Sequence, residues 1–361
     1  MHSDHSESLR QTVLSALAAN RPLAIVGGNT KAFYGRRATP GDAAPNRLET
    51  AAHRGIVGFE PTELVLTARS GTPLAEIEAL LAAHGQILPF EPPRFGAGAT
   101  LGGTVACGFS GPRRPYAGSV RDCVLGCKIL DGQGEILSFG GQVMKNVAGF
   151  DVSRLMVGAL GTLGVLLEIS LKVLPRPECE RTLVFAMAQP EALAAMNRWC
   201  AEPWPISGLA HDESWIYLRL SGAEPAVAAA HKQLGGDVAA DGEGFWHRLC
   251  EQRLRFFQYP ALGNALWRLS VPPAAPPLEL PGCWFYDWGG ALRWLKTDIP
   301  GSAVFAAAAG VGGHATLFRG YTGDGRVFQP LPPAVKNLHL NLKRAFDPQG
   351  LLNPGRLYED F

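Results

Sequence analysis

The stretch GAGATLGGTVACGFSG at residues 96–111, together with VGGNTK at 26–31, decides the fold. Six of the sixteen residues in the longer stretch are glycine, and most of the others are small. Such a segment packs poorly by itself and suits a backbone that lies close against something else. Thr100 is placed to cap a short helix, which would aim the N–H groups of Gly102, Gly103 and Thr104 at an anion. VGGNTK follows the apolar run Leu23–Val26, a short buried strand that breaks at Gly27-Gly28, where the chain must turn tightly. Lys31 adds a cation beside that turn. A dinucleotide pyrophosphate needs clustered backbone donors and side chains small enough to admit it. The one-turn solution, strand–GxGxxG–helix with an acid about 20 residues on, is missing. In GAGATLG the third glycine comes one position late, after a proline-rich loop rather than a strand. Two separate glycine loops are the other way to supply the same cradle.

Outward from these loops the chain reads as alternating short strands and helices. Leu9, Val13, Leu14 and Leu17 place an amphipathic helix over 7–20. GIVGFEPTELVLTAR (55–69) reads as two strands. Thr72 is expected to cap a helix with Pro73 at its first position, ending at His84-Gly85. Val124–Leu130, a DGQGE turn and Ile136–Phe139 form a hairpin. MKNVAGFDVSRLMVGALGTLG holds a helix over about 151–158 and a further glycine turn, and VLLEISLKVLP is a strand. Composition shifts after PRPEC: all eight tryptophans fall between 199 and 294, in a span of strand–helix–strand texture interrupted by the proline-rich VPPAAPPLELPG (271–282). The tail PPAVKNLHLNLKRAF is helical and ends in DPQGLLNPGRLY. The expected organisation is α+β: a cofactor domain over 1–176, an α+β cap, substrate or interaction domain over 177–333, and a tail over 334–361 returning to the first domain.

The 33 basic and 32 acidic side chains leave a net charge of +1, which argues against nucleic acid as a partner. The seven cysteines have no CxxC spacing, so neither a disulfide framework nor a cysteine-ligated metal or iron–sulfur centre is expected. Reduced thiols suit the cytoplasm. MHSDHSESLRQTV has no apolar core of a secretory signal, and no run of about 18 apolar residues would make a transmembrane segment. A peripheral place on the inner membrane, through a complex, stays open.

VGGNTKAFYG, ATLGGTVACGFSGPRRPYAGSVRDCVLG, MKNVAGFDVSRLMVGALGTLGVLLEISLKVLP and RAFDPQGLLNPGRLY together resemble the vanillyl-alcohol-oxidase/PCMH-type flavoprotein superfamily. Within it they resemble the FAD-binding subunits of bacterial glycolate oxidases. The resemblance covers most of 20–175 and the last 20 residues, and is weaker in the centre. It implies a PCMH-type FAD domain of two α+β subdomains. It places Gly27, Gly28, Asn29, Thr30 and Lys31 in a first pyrophosphate loop, and Pro93, Ala99, Thr100, Leu101, Gly102 and Gly103 in a second. Ser110, Gly111, Tyr116, Gly118, Ser119 and Asp122 would line the isoalloxazine and ribityl side, and Gly161, Gly164 and Val165 would lie by the adenine. Covalent members often carry a histidine in the first loop; Asn29-Thr30 stand there, which implies non-covalent FAD. Relatives often read GSEGTLG where this chain has GALGTLG, with Leu160 in place of the acid. The implied partners are a catalytic flavoprotein D subunit, an iron–sulfur F subunit and a small 2-hydroxyacid such as glycolate, oxidised to glyoxylate.

Oxidising a 2-hydroxyacid needs a base, a cation for the carboxylate and a flavin to accept the hydride. Catalytic relatives carry an HxGDGNxH metal segment; YTGDGRVF (321–328) keeps GDG without either histidine, so no metal is expected there. His314 and Arg319 are lone candidates, and His211, His247 and His339 have no ligand spacing to one another. Lys145-Asn146 sit in a family motif. The catalytic residues therefore stay unassigned. A non-catalytic structural or interaction subunit with a vestigial or stabilising flavin site is the competing expectation.

Overall fold

A computed structural model describes residues 3–37, 45–141, 151–258, 265–320 and 325–361. Lys145-Asn146, and Gly323 and Asp324 of the GDG segment, lie outside the described residues. The chain divides into two compact units. One comprises Met1–Ser110, Gly118–Arg176 and Pro330–Phe361; the other comprises Gly111–Ala117 and Pro177–Gln329.

In the first unit, the described strands Ile56–Glu60, Val65–Arg69, Val165–Lys172, Val124–Leu130 and Ile136–Gly140 form a sheet in that spatial order, every neighbouring pair antiparallel. The apolar strand residues that argued for burial are buried: Leu66, Ala68, Ile129, Ile169 and Leu171 pack with Leu74, Ile77 and Leu81 of the helix Leu74–Ala83 and with Leu101 and Val105. The hairpin turn is held as its sequence requires. Asp131 Oδ1 accepts the amides of Gln133 and Glu135 at 2.9 and 2.8 Å, and Gly134 takes φ +81°. A separate parallel pair, Leu23–Val26 with Asn46–Glu49, packs with the helix Ser6–Ala19 on a second core that contains Leu9, Val13, Leu48, Val165 and Leu352. One expectation is corrected. Thr72 caps nothing: Pro73 occupies the N-cap position, and the Thr72 hydroxyl bonds the amide of Gly55 at 2.9 Å and its carbonyl at 3.3 Å.

The tail returns to this unit. The helix Pro333–Phe346 ends in a buried knot around Asp347. Its carboxylate accepts the amides of Leu351 (3.0 Å) and Leu352 (2.7 Å) and pairs with Lys343 Nζ at 2.8 Å. Lys343 Nζ also donates to the carbonyls of Thr162 (2.7 Å) and Leu352 (2.9 Å). Every donor of the buried ammonium is thereby used, as burial of a charge demands.

His53, fully buried, ties the N-terminal residues to the same unit. Its Nδ1 accepts the His5 amide at 3.0 Å, and its Nε2–H donates to the Leu167 carbonyl at 3.1 Å. That pattern requires a neutral ring, and burial holds its pKa below the ordinary imidazole value. The unfolded chain takes up this proton near pH 6.5 and the folded chain does not, so stability is complete above about pH 6.5 and falls as pH drops below it. His211, buried and donating to Met187, is shifted in the same direction for the same reason and adds to the slope. The urea midpoint is therefore expected to fall between about pH 7.5 and about pH 5.5. The His53 ring should show no protonation shift by NMR near its free value; a ring titrating there would refute this account.

In the second unit, eight described strands form one sheet in the order Asp237–Val238, Cys179–Ala186, Trp215–Gly222, Ile206–His211, Cys283–Asp287, Leu292–Thr297, Ala265–Ser270 and His314–Arg319. Helix Gln189–Cys200 adds Leu193, Met196 and Trp199 to one core of the unit, and helix Gly301–Gly310 adds Val304 and Phe305 to another. The unit also takes in residues 111–117, which sit within the glycine-rich stretch. Trp288 Nε1 donates to the Gly111 carbonyl at 3.0 Å, Arg113 pairs with Glu180, and Arg114 lies 4.3 Å over the Trp288 ring. The Tyr116 hydroxyl lies 3.8 Å from Cys200 Sγ.

Candidate functional site

The two glycine segments meet. A Cβ on Gly28 would lie 1.5 Å from the Gly98 carbonyl oxygen, and one on Gly27 would lie 2.7 Å from Thr100 Oγ1. A side chain at Gly28 would force two backbones apart, and one at Gly27 would displace the Thr100 side chain, so both are glycine where the first loop lies directly on the second. Gly102 is glycine for another contact: its Cβ would lie 2.6 Å from Ser70, and its amide donates to the Ser70 carbonyl at 2.7 Å. Gly103 differs. A Cβ there would meet only Thr100 Oγ1, at 3.3 Å.

Beside this junction lies a cavity of about 750 Å³ inside the first unit, within the range of small-molecule and cofactor pockets. Gly27, Gly28, Asn29, Thr30, Lys31, Thr100 and Gly103 line it. Pro93, Ala99, Leu101 and Gly102 do not; Ala99 and Leu101 are buried in the core behind the wall. Thr100 caps the helix Leu101–Cys107 as its sequence suggests, with its side chain accepting the Gly103 amide.

The capping has a consequence for the backbone donors. The amides expected to face an anion are spent inside the protein: Gly102 on Ser70, Gly103 on the Thr100 hydroxyl at 3.3 Å, and Thr104 on the Thr100 carbonyl at 3.1 Å. The available donors lie instead in the first loop. Among the described residues, the amides of Gly28, Asn29 and Thr30 donate to no protein acceptor, and Asn29 turns with φ +58°. Backbone N–H groups of consecutive turn residues left unsatisfied beside a cavity are the arrangement that accepts an anion.

The electrostatics agree. Among the described residues, Lys31, Arg36, Arg37 and Arg356 line the cavity against one carboxylate, Glu359. Lys31 is buried, and its Nζ donates to the Arg94 carbonyl at 3.2 Å. Cys107 also lines the cavity; burial pushes its thiol up to about 11 against the opposing pull of Lys31 and Arg356, so it is a neutral wall residue. These residues fit a group carrying a pyrophosphate.

The remaining expected site residues lie away from this cavity. Ser119 and Asp122 form a capping box, with Asp122 Oδ2 accepting the Ser119 amide and hydroxyl at 2.8 and 2.7 Å, beside Gly118 at φ +91°. Ser110 Oγ accepts the Val120 amide at 3.0 Å. Gly111 and Tyr116 belong to the second unit. Gly161 turns with φ +72° against Asn353 and Ile25, Gly164 packs on Ile129, and Val165 is fully buried in the second core. Leu160 lines the cavity and turns with φ +51°. His314, in the second unit, has its pKa lowered by burial and by Arg268 and Arg114. Arg319 donates to Gln252 at 3.2 Å.

Sequence reading missed Asn353, Pro354, Gly355, Arg356 and Glu359, which bring the tail to the cavity wall. The ending RAFDPQGLLNPGRLY carries part of the family resemblance and is expected to return to the first domain, but NPGR by itself reads as a turn and assigns none of these residues to the cavity.

A mixed helix-and-sheet unit with paired glycine loops around a cationic cavity defines an FAD-binding domain of the PCMH type. The family model described as FAD binding domain matches residues 2–140. The fold is similar to that of alkyldihydroxyacetonephosphate synthase, with a TM-score of 0.69 over 97% of this chain and 74% of that one, at 14% identity. The chain belongs to the family of glycolate oxidase subunit GlcE: it is 50% identical to the Escherichia coli K12 protein over 357 residues, 99% of this chain and 98% of that protein. It is also 32% identical over 129 residues to glycolate oxidase subunit GlcD of Bacillus subtilis, a match covering 36% of this chain and 27% of that protein. Among the described residues, no helix is long and apolar enough to cross a membrane.

Proposed function

We propose that this protein is the FAD-holding E subunit of a glycolate oxidase complex, oxidising glycolate to glyoxylate with electrons passed to a partner. The observation that carries the reading is the cavity where Gly27-Gly28 lie on Gly98–Thr100, with unspent amides and four cationic side chains around it. The FAD pyrophosphate would lie against Gly28, Asn29, Thr30 and Lys31, with Gly103 leaving room for it. The flavin, when bound, supplies the hydride acceptor; this chain's residues bind and orient it. Among the described residues no histidine lines the cavity, and Asn29-Thr30 stand in the first loop, which supports FAD held without a covalent bond. Ser110, Gly118, Ser119 and Asp122 form the capped turn that would carry the isoalloxazine side. The similarity to GlcE and GlcD supports assembly with a D flavoprotein, and an iron–sulfur F subunit would be the next electron carrier.

The purified chain should be yellow, and acid or heat should release its flavin. Anaerobic addition of glycolate to the isolated, FAD-loaded chain should bleach the flavin absorbance. A yellow protein that glycolate leaves oxidised, alone and mixed with the D subunit, would make the site stabilising rather than catalytic. A protein that takes up no FAD would remove the cofactor reading itself.

A further inference from the structure

The last residues of the chain do more than pack on the cofactor domain. Arg356 lies on the cavity wall and grips the segment that follows the first glycine loop. Its Nη1 donates to the Arg36 carbonyl at 3.0 Å, and its Nη2 donates to the Ala32 carbonyl at 2.9 Å and to the Tyr34 carbonyl. Its own carbonyl accepts the Arg36 amide at 2.9 Å. Between those contacts Gly35 turns with φ +91°, and a Cβ there would meet Arg356 Nε and its carbonyl oxygen, both at 3.1 Å. Three of the five guanidinium donors are thus spent on consecutive turns of one loop. That loop carries Lys31 and Arg36 on the same cavity wall.

Asn353 performs the matching task on the neighbouring wall. Its amide donates to the Leu23 carbonyl at 2.9 Å, its Oδ1 accepts the Ile25 amide at 2.8 Å, and its Nδ2 donates to the Leu160 carbonyl at 2.6 Å. The strand leading into the first glycine turn and the left-handed turn at Leu160 are therefore both tied to the tail.

We infer that Arg356 is a positioning residue for the flavin cofactor: it presets the 31–36 loop in its binding geometry, with Asn353 holding the adjoining strand. The inference rests on the cavity being the FAD site. A lysine at 356 would keep the charge at the wall but cannot fan three donors across the carbonyls of 32, 34 and 36. A loop that must be ordered on binding takes its ordering cost out of affinity.

The test compares the full chain with Arg356→Lys and Arg356→Ala. FAD dissociation constants would be read by quenching of flavin fluorescence, and amide exchange of residues 32–36 would be followed in the FAD-free protein, with melting temperature as the folding control. Both variants are expected to weaken FAD roughly tenfold or more, and to expose the Arg36 amide to faster exchange before any FAD is added. Lysine restoring wild-type affinity would reduce Arg356 to a point charge and overturn the inference, as would unchanged exchange in both variants. Should Arg356→Ala fail to fold, the lysine variant alone decides. Failure of the wild-type chain to take up FAD would count against the cavity assignment, whereas wild-type binding with unaffected variants counts against the clamp alone.

Discussion

Gly103→Trp is expected to fold and to lose FAD. The residue sits in the first turn of the helix Leu101–Cys107, on the cavity wall, in ordinary helical backbone, and its missing Cβ faces only the Thr100 hydroxyl at 3.3 Å. An indole there grows into the space assigned to the cofactor. The cost to folding is bounded by strain on the Thr100 cap, about 1 kcal/mol. The cost to binding is the occupied volume, and a weakening of FAD by 100-fold or more, about 2.7 kcal/mol, is expected. Flavin content per chain after gel filtration, read with the far-ultraviolet circular dichroism, checks both halves. Flavin content equal to that of the wild-type chain would show that the cofactor does not pass Gly103. Gly103→Ala, which adds a single methyl group, should stay close to wild type.

Asp347→Ala is expected to give the largest loss of stability in the first unit. The change strands Lys343, a buried ammonium, and frees the amides of Leu351 and Leu352. Breaking one side of a buried pair costs about 3–5 kcal/mol, which for a domain of this size lowers the melting temperature by on the order of 10 °C. Because the tail carries Asn353 and Arg356 to the cavity, FAD should weaken in parallel. Lys343→Met should also destabilise, since it leaves the buried Asp347 carboxylate without a cation and the Thr162 and Leu352 carbonyls without that donor, but it spares the amides of Leu351 and Leu352. Calorimetry of the two variants would decide. An Asp347→Ala chain melting with the wild type would mean that the pair contributes nothing to holding the tail.

Several parts of this protein are legible in the sequence because their causes are local. The DGQGE turn needs an Asx side chain and a left-handed glycine, and both are written within five residues. Thr100 caps a helix because a hydroxyl and an amide three residues on can meet without help from the rest of the chain. The Thr72 expectation failed because the partner is not local: its hydroxyl bonds Gly55, 17 residues back, rather than its own helix. The amides of the helix start are spent on protein acceptors for that reason too. The spacing of Gly102, Gly103 and Thr104 resembles an anion-binding helix start, but Ser70 and the Thr100 side chain take two of those amides.

The sequence by itself determined that two glycine segments, neither a one-turn dinucleotide motif, would bring backbone close to a large anion, because glycine spacing and small side chains are properties of the local chain. Only the tertiary structure decided that Gly28 lies on Gly98, that the unspent amides are those of the first loop, and that Asn353 and Arg356, some 320 residues from that loop in sequence, complete its wall. Those facts depend on which distant groups satisfy each other's hydrogen bonds and fill each other's space, and no local propensity encodes that pairing.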